Sequence, residues 1–433
     1  MEMEHTTQTA PGGAGAGGAS PRSSGNLLAN PFVRSIILSN ILLQLGIWVR
    51  NFAILLYVTD QTNNNPYYVS LIYIVEMAPI FVFSIIGGTF ADRWKPKKTM
   101  VWCDFLSAVS VFVVLLTMIY GSWQAVFLAT FVSAILSQFS QPSAMKLFKL
   151  HVAEDRLQQV MAMFQSLMAI FMVIGPVIGT FVYQRFGIEI SIMIMGIMFL
   201  CSALVLIRLP RDQEKEPAKE APNFRKELVQ GLRYVWDSRV LRTLLVNFAA
   251  AGLAVGLIQP LGIYVVLENL GKEKDFLQWL LAANGVAMLI GGGMIMAISR
   301  KITPQKLLAM GMTVGAVCTM IIGWSHSVPL TIAMQFISGL FFPSIHIGLN
   351  TLILQNASQD FVGRVMGALN PMFMGMMVVG MSVSGALKEG LTLSWVHMLA
   401  GGLFLLGMLV IVPLLKMAGG RQTVPVQPES AGR

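Results

Sequence analysis

Between residues 32 and 417 the chain is a succession of long apolar runs separated by short polar links. The runs lie near 32–58, 68–90, 99–120, 123–142, 160–184, 189–209, 241–267, 276–298, 306–325, 328–352, 365–387 and 395–417. About 20 apolar residues, rising ~1.5 Å each, cross a hydrocarbon core of ~30 Å as a helix. Stretches such as IMIMGIMFLCSALVLI lack the period-two alternation of a membrane β-strand. Charged residues are only 12% of the chain, against about 25% in soluble domains, so most of its surface must face lipid. The expected fold class is an all-α polytopic membrane protein with 12 transmembrane helices.

The net charge of +9 raises the question of nucleic acid, and the placement of the cations answers it. Of thirty Lys and Arg, 25 fall in the tails and in the links that follow even-numbered spans, including Arg93, Lys95, Lys97 and Lys98 after span 2. The other side holds Arg185, Lys272, Lys274 and Lys388, and Arg50 lies inside span 1. That asymmetry is the positive-inside pattern. It predicts a multi-pass protein of the cell membrane with both termini cytoplasmic, partnered by the bilayer and not by nucleic acid. Cys103, Cys201 and Cys318 sit apart within apolar runs and lack metal-ligand spacing, so no metal is expected.

The longest link divides the spans six and six. Residues 1–31 and 418–433 are rich in small and polar residues and read as disordered cytoplasmic tails. The bundles are then 32–209 and 241–417, joined by a cytoplasmic linker at 210–240. In that linker Phe224, Leu228, Leu232, Val235 and Trp236 recur at helical spacing among Arg225, Lys226 and Arg233, the pattern of an amphipathic helix lying on a membrane surface. The halves also echo each other. FVRSIILSN (32–40) matches VLRTLLVNF (240–248) at an offset of 208, and DRLQQVMA (155–162) matches DFVGRVMG (360–367) at 205. KPKKTM (95–100) has a weaker counterpart in TPQKLL (303–308). Duplicated, pseudo-symmetric six-helix bundles follow, with a solute site expected at the midplane between them.

Polar groups inside a bilayer are costly and tend to face protein or a water-filled path. Candidates to line such a path are Asn40, Gln44, Gln138, Gln141 and Gln165 in the first half. Asn247, Gln259, Asn284, Gln335, His346, Asn350 and Asn370 are their counterparts in the second. Spans 3, 6, 9 and 12 carry few such groups apart from Asp104 and His397, so four spans act as outer support. Two charges stand out: Arg50 on span 1 and Glu76 on span 2 are each thirteen residues from Asn63 in the turn TNNNPYY, so a hairpin sets them at one depth. The pair is open to two roles, a neutralising structural bridge or a proton-coupling site with Glu76 as acceptor. Asp104 is a third, more structural candidate, placed to answer the cations of the link before it.

The segment GGTFADRWKPKKTM then resembles the signature between helices 2 and 3 of the major facilitator superfamily, through Gly88, Asp92, Arg93, Lys97 and Lys98. It departs from that signature at Lys95-Pro96, where Gly-Arg is usual. The resemblance implies the fold of that superfamily and a cytoplasmic gate locked by these residues when the carrier faces outward. VIGPVIGTF resembles its antiporter motif through Gly175, Pro176 and Gly179, with Phe171 and Thr180 where glycines are common. Residues 140–179 and 231–245 are similar to the branch containing macrolide-efflux proteins and the enterobactin exporter.

That resemblance implies a secondary transporter exporting an amphipathic organic solute, drug-like or macrolide-like or a catecholate siderophore. Proton antiport with alternating access would drive it, without a cofactor, and the expected protein is a monomer. Proton-coupled nutrient uptake on the same fold is the alternative. No Walker loop, nucleophile elbow or His-Glu-x-x-His segment occurs, so no enzymatic activity is expected.

Overall fold

The computed structural model describes residues 30–209, 224–299, 301–358 and 361–419; the side chains of 84–93, 154–155, 224–228 and 416–419 lie outside the described residues. The expected terminal tails, apart from residues 30–31 and 418–419, and the acidic-basic first part of the linker also fall outside them.

The described chain is helical throughout. Helices α1 (Pro31–Gln61), α2 (Pro66–Arg93), α3 (Pro96–Ile119), α4 (Ala125–His151) and α5 (Glu154–Ile207) form the first half. The second half holds α7 (Arg239–Ile258), α8 (Leu277–Ile298), α9 (Pro304–Trp324), α10 (Val328–Asn356), α11 (Val362–Gly390) and α12 (Leu393–Gly419), with α6 (Phe224–Asp237) between the halves. At 54 residues α5 is far too long for one crossing; Gly187, with φ of 78°, breaks it into two limbs that serve as spans 5 and 6. Eleven apolar helices, one of them this double pass, therefore make twelve crossings.

Local chemistry fixes the ends. Asn30 caps α1, its Oδ1 accepting from the Phe32 amide at 2.9 Å. Prolines open α1, α2, α3 and α9, where an amide would go unpaired anyway. The α1–α2 turn uses Asn63 and Asn64 at positive φ, a conformation asparagine tolerates. After α7 the chain tightens into a 3₁₀ turn at Gln259–Leu261, around Pro260, and then widens into a π turn at Val265–Asn269. This carries span 7 on to Asn269.

Packing repeats between the halves. In the first, α1 packs on α5, α2 on α4, α3 on α4 and α3 on α5; in the second, α7 packs on α11, α8 on α10, α9 on α10 and α9 on α12. The main contacts between halves are α2 with α11 and α5 with α8, a pair that maps onto itself when the halves are exchanged. The repeat reaches single residues. Gly175 and Gly179 seat α5 against Trp48 and Phe52 of α1. At the offset of 205 they correspond to Gly380, which lies against Gly256 of α7, and Ser384, whose Oγ donates to the Leu257 carbonyl at 2.7 Å. Small residues at such crossings let backbones approach closely.

A methyl group at Gly256 would stand 2.1 Å from the Met377 carbonyl oxygen, whereas none of the neighbours of Gly292 lies within 4 Å. Gly256→Ala is expected to destabilise the second half by about 1–3 kcal/mol. Gly292→Ala is expected to be neutral or slightly stabilising. Thermal unfolding of the two purified variants checks this contrast.

The membrane faces are marked by aromatics. Trp94, Trp102 and Trp236 are exposed at the face that receives most cations, the basic face. Tyr67, Tyr120, Trp279, Trp324 and Trp395 are exposed at the opposite face. Helix α6 docks on the second bundle at the basic face. Val235 is buried, Tyr234 stacks on Phe361 at 4.6 Å, and Gly231 sits against the Arg364 carbonyl. Val229, Leu232 and Trp236 stay exposed. Its apolar residues are thus shared between the bundle and the membrane surface, so the sequence pattern of one lipid-facing stripe holds for only part of the helix.

Candidate functional site: a polar path closed at one end

The turn at Asn63 and Asn64 folds α2 back along α1 and brings Arg50 to Glu76 at 3.3 Å. Asn51 joins them: its Oδ1 accepts from Arg50 Nε and Nη2 at 2.9 and 2.6 Å, and its Nδ2 donates to Glu76 Oε1 at 3.1 Å. Arg50 is 3% exposed and Glu76 16%, so the carboxylate is the wetter partner. One guanidinium nitrogen, Nη1, has no hydrogen-bond partner. Asn51, one of the polar residues of span 1, is the hub of this cluster.

A second tie lies in the other half. Asn284 Nδ2 donates to the Gln335 carbonyl at 2.9 Å and approaches its Oε1 at 3.4 Å, locking α8 to α10. Gly339, one turn beyond Gln335, sits against the Asn284 carbonyl and keeps the two helices close.

Nearer the basic face the expected lining residues behave differently. Gln141, Gln165, His346, Asn350 and Asn370 are all exposed, and each lies within about three turns of the basic end of its helix. His346 and Asn350 project from the side of α10 away from α9, which instead receives Ser344, Ile345 and Gly348. Gln138 donates to Ser137 at 3.1 Å, and Gln44 is buried with its amide on the Met168 sulfur. The Asn40 Oδ1 is buried without a partner. Gln259 is exposed in the turn after α7.

Two residues depart from expectation. Asn247 is 0% exposed and donates to the Gly407 carbonyl of α12 at 3.0 Å. It ties α7 to an outer helix and does not line a path. Asp104, expected to answer the cations of the preceding link, turns elsewhere. Its described hydrogen bond comes from Ser202 Oγ at 2.5 Å, and Ser202 in turn meets Ser39 at 2.7 Å. This buried chain joins α3, α5 and α1, a structural arrangement. His397 likewise turns to its own helix, with Nδ1 2.9 Å from the Leu393 carbonyl.

The opposite face is latched between halves. Lys274 pairs with Asp60, which also accepts from the Tyr183 hydroxyl at 3.2 Å. Gln184 donates to Asp275 at 2.9 Å, and the Tyr264 hydroxyl donates to the Asn64 carbonyl at 2.9 Å. Gly385 of α11 rests on Pro66 of α2. Closure continues inward through Phe81 against Gly375, and Val173 against Gly285. None of the latch residues was singled out from the sequence. The scarcity of cations on that side was the signal, since Lys274 and Lys388 each hold an ion pair there, the latter with Glu268.

Of the gate-motif residues, Gly88, Asp92 and Arg93 end α2 in the stretch whose side chains lie outside the described residues. Lys97 donates to the carbonyls of Ile207, at 3.0 Å, and Leu209, capping the C-terminal end of α5. Lys98 is exposed. Pro176 lies inside α5 between the glycines that receive Trp48.

The chain is similar to known proteins. The MFS-type transporter YkuC of Bacillus subtilis (strain 168) is 26% identical over 344 residues, which cover 76% of this chain and 79% of the relative. The multidrug efflux pump Tap of Mycolicibacterium fortuitum is 24% identical over 339 residues, covering 76% and 82%. The crystal structure of a mutant of the nucleoside transporter NupG superposes with a TM-score of 0.73 at 12% identity, covering 89% of this chain and 100% of that one. The family model of the Major Facilitator Superfamily matches residues 36–271 and 244–431. With two interchangeable six-helix bundles latched at one face, the chain belongs to the Major Facilitator Superfamily, a family of transporters.

Proposed function

We propose that the protein is a proton-driven exporter of an amphipathic organic solute, working by alternating access in the cell membrane with its basic face in the cytoplasm. The observation that carries the reading is the division of polar groups along the membrane normal. Toward the opposite face most of them are consumed in the Arg50–Asn51–Glu76 and Asn284–Gln335 clusters, under an inter-half latch, with Gln259 left exposed. Toward the basic face Gln141, Gln165, His346, Asn350 and Asn370 are left exposed. That is the arrangement of a carrier closed outward and loading from the cytoplasm. Glu76 is the proton acceptor: it is the one acid in the paired cluster, and release of Arg50 on protonation would loosen α2 from α1.

Direction rests on the Gly175-Pro176-Gly179 packing of α5 on α1 and on similarity to a multidrug efflux pump. Flexible and aromatic residues suit varied ligands, among which drug-like or macrolide-like compounds and catecholate siderophores are the leading classes. Everted membrane vesicles test the proposal. Energised vesicles carrying the protein are expected to accumulate a macrolide or a catecholate siderophore, and a protonophore should abolish the uptake. Accumulation of a nutrient by right-side-out vesicles alone would replace export with proton-coupled uptake.

A further inference from the structure

A lateral groove of about 570 Å³ opens between α3, α4 and the Trp94–Lys95 link at the basic face. That volume is within the roughly 300–1,000 Å³ of small-molecule sites. Its mouth carries Lys95, Lys98 and Trp94; Thr99 and Cys103 form the floor, and Trp102, Leu106 and Leu136 the walls. Trp94 stacks on Phe139 at 5.7 Å and closes the end nearest the link.

The groove is graded along the membrane normal. Lys98, Trp102 and Leu106 follow one another at four-residue steps, so they share one face of α3 at successively greater depth. Beyond them that face continues through Val109, Val113 and Leu116, all exposed, which marks it as lipid-facing. Cations therefore sit at headgroup level, a tryptophan sits at the interface, and an apolar slot runs inward beneath. A second lateral groove provides the contrast. It lies near the opposite face, has a volume of about 530 Å³, and is lined by Leu257, Trp395, Met398, Leu399, Gly402 and Leu403, with no charged side chain. An aromatic and an acyl slot are common to both grooves; the paired lysines belong to one.

We propose that the groove between α3 and α4 is a binding site for an anionic phospholipid of the leaflet at the basic face. The phosphate sits between Lys95 and Lys98, and one acyl chain lies along Trp102, Leu106 and Leu136. Charge complementarity selects the headgroup, since each lysine near an anionic surface contributes about 1 kcal/mol. Lys95 precedes α3 and Lys98 lies in its first turn, beside Lys97, the cap on the end of α5. The bound lipid thus braces the connection between α2 and α3 from outside the transport path. This assignment stands on membrane embedding alone and is independent of the direction of transport.

Native mass spectrometry of the purified full-length protein, offered phosphatidylglycerol and phosphatidylcholine of identical chains, tests it. The wild type is expected to retain phosphatidylglycerol preferentially. Lys95→Gln combined with Lys98→Gln should reduce that preference roughly thirtyfold, while Trp395→Ala in the uncharged groove should leave it unchanged. Trp102→Ala should weaken retention of both lipids. Unaltered thermal unfolding of each variant separates loss of lipid from loss of fold. Equal retention of the two lipids by the wild type would overturn the proposal, as would an undiminished preference in the double lysine variant. Displacement of the lipid by glycerol 3-phosphate alone at equal concentration would also overturn it, because the acyl slot would then contribute nothing.

Discussion

Glu76→Gln is expected to leave a folded protein that no longer moves its solute against a gradient, with transport in energised vesicles falling to the level of membranes without the protein. The structure also says what the variant should cost. Removing one partner of a buried pair typically costs about 3–5 kcal/mol, because the remaining charge is stranded. Arg50 is that remaining charge, at 3% exposure with Nη1 already unpartnered. Asn51 still accepts from Nε and Nη2, so the loss should lie at the lower end of that range. The two roles open to the pair separate in the double variant Arg50→Gln, Glu76→Gln. With both charges gone, a structural bridge predicts recovered stability and recovered transport. A proton-coupling carboxylate predicts recovered stability with gradient-driven transport still absent, while counterflow down a solute gradient persists. Recovery of driven transport in the double variant would remove Glu76 from the coupling mechanism.

The contrast between these residues and the latch explains what could be read from the chain in advance. Twelve crossings were legible because a bilayer demands one property, apolarity over a fixed length, from every span. The Arg50–Glu76 contact was legible because a hairpin of symmetric length fixes depth, and TNNNPYY marks its centre. Asn247 misled because an amide inside a span can satisfy itself on a neighbouring helix as well as on water. Its neighbour, the Gly407 carbonyl, is 160 residues away and left no local pattern. Asp104 misled similarly: the cations were nearby in sequence, while Ser202, 98 residues on, was its described donor. Residues at helix ends and turns, such as Asp60, Lys274 and Asp275, have no periodicity, and partners across a pseudo-symmetric interface cannot be paired from spacing. Only the rarity of cations on that face pointed to them.

That latch supports the second large effect. Lys274→Glu places a carboxylate beside Asp60 and should open the opposite face. Asp60 is half exposed and Lys274 a quarter, so the native pair is screened and worth about 0.2–1 kcal/mol. Replacing attraction with repulsion of similar size gives a change of about 0.4–2 kcal/mol, or roughly a 2–30-fold shift in the ratio of the two closed forms. Spin labels on the two halves at the opposite face should therefore show a longer distance population in the variant. The reversed pair, Asp60→Lys with Lys274→Glu, should return the shorter one. High salt should shrink the difference, because a Debye length of about 3 Å at 1 M screens exposed charges. The remaining ties are uncharged at one or both partners: Gln184 on Asp275, Tyr264 on the Asn64 carbonyl, and Gly385 on Pro66. They should keep a population of closed molecules even in Lys274→Glu. An unchanged distance distribution in that variant would mean that packing at Gly385 and Phe81, not the ion pair, sets the position of the halves.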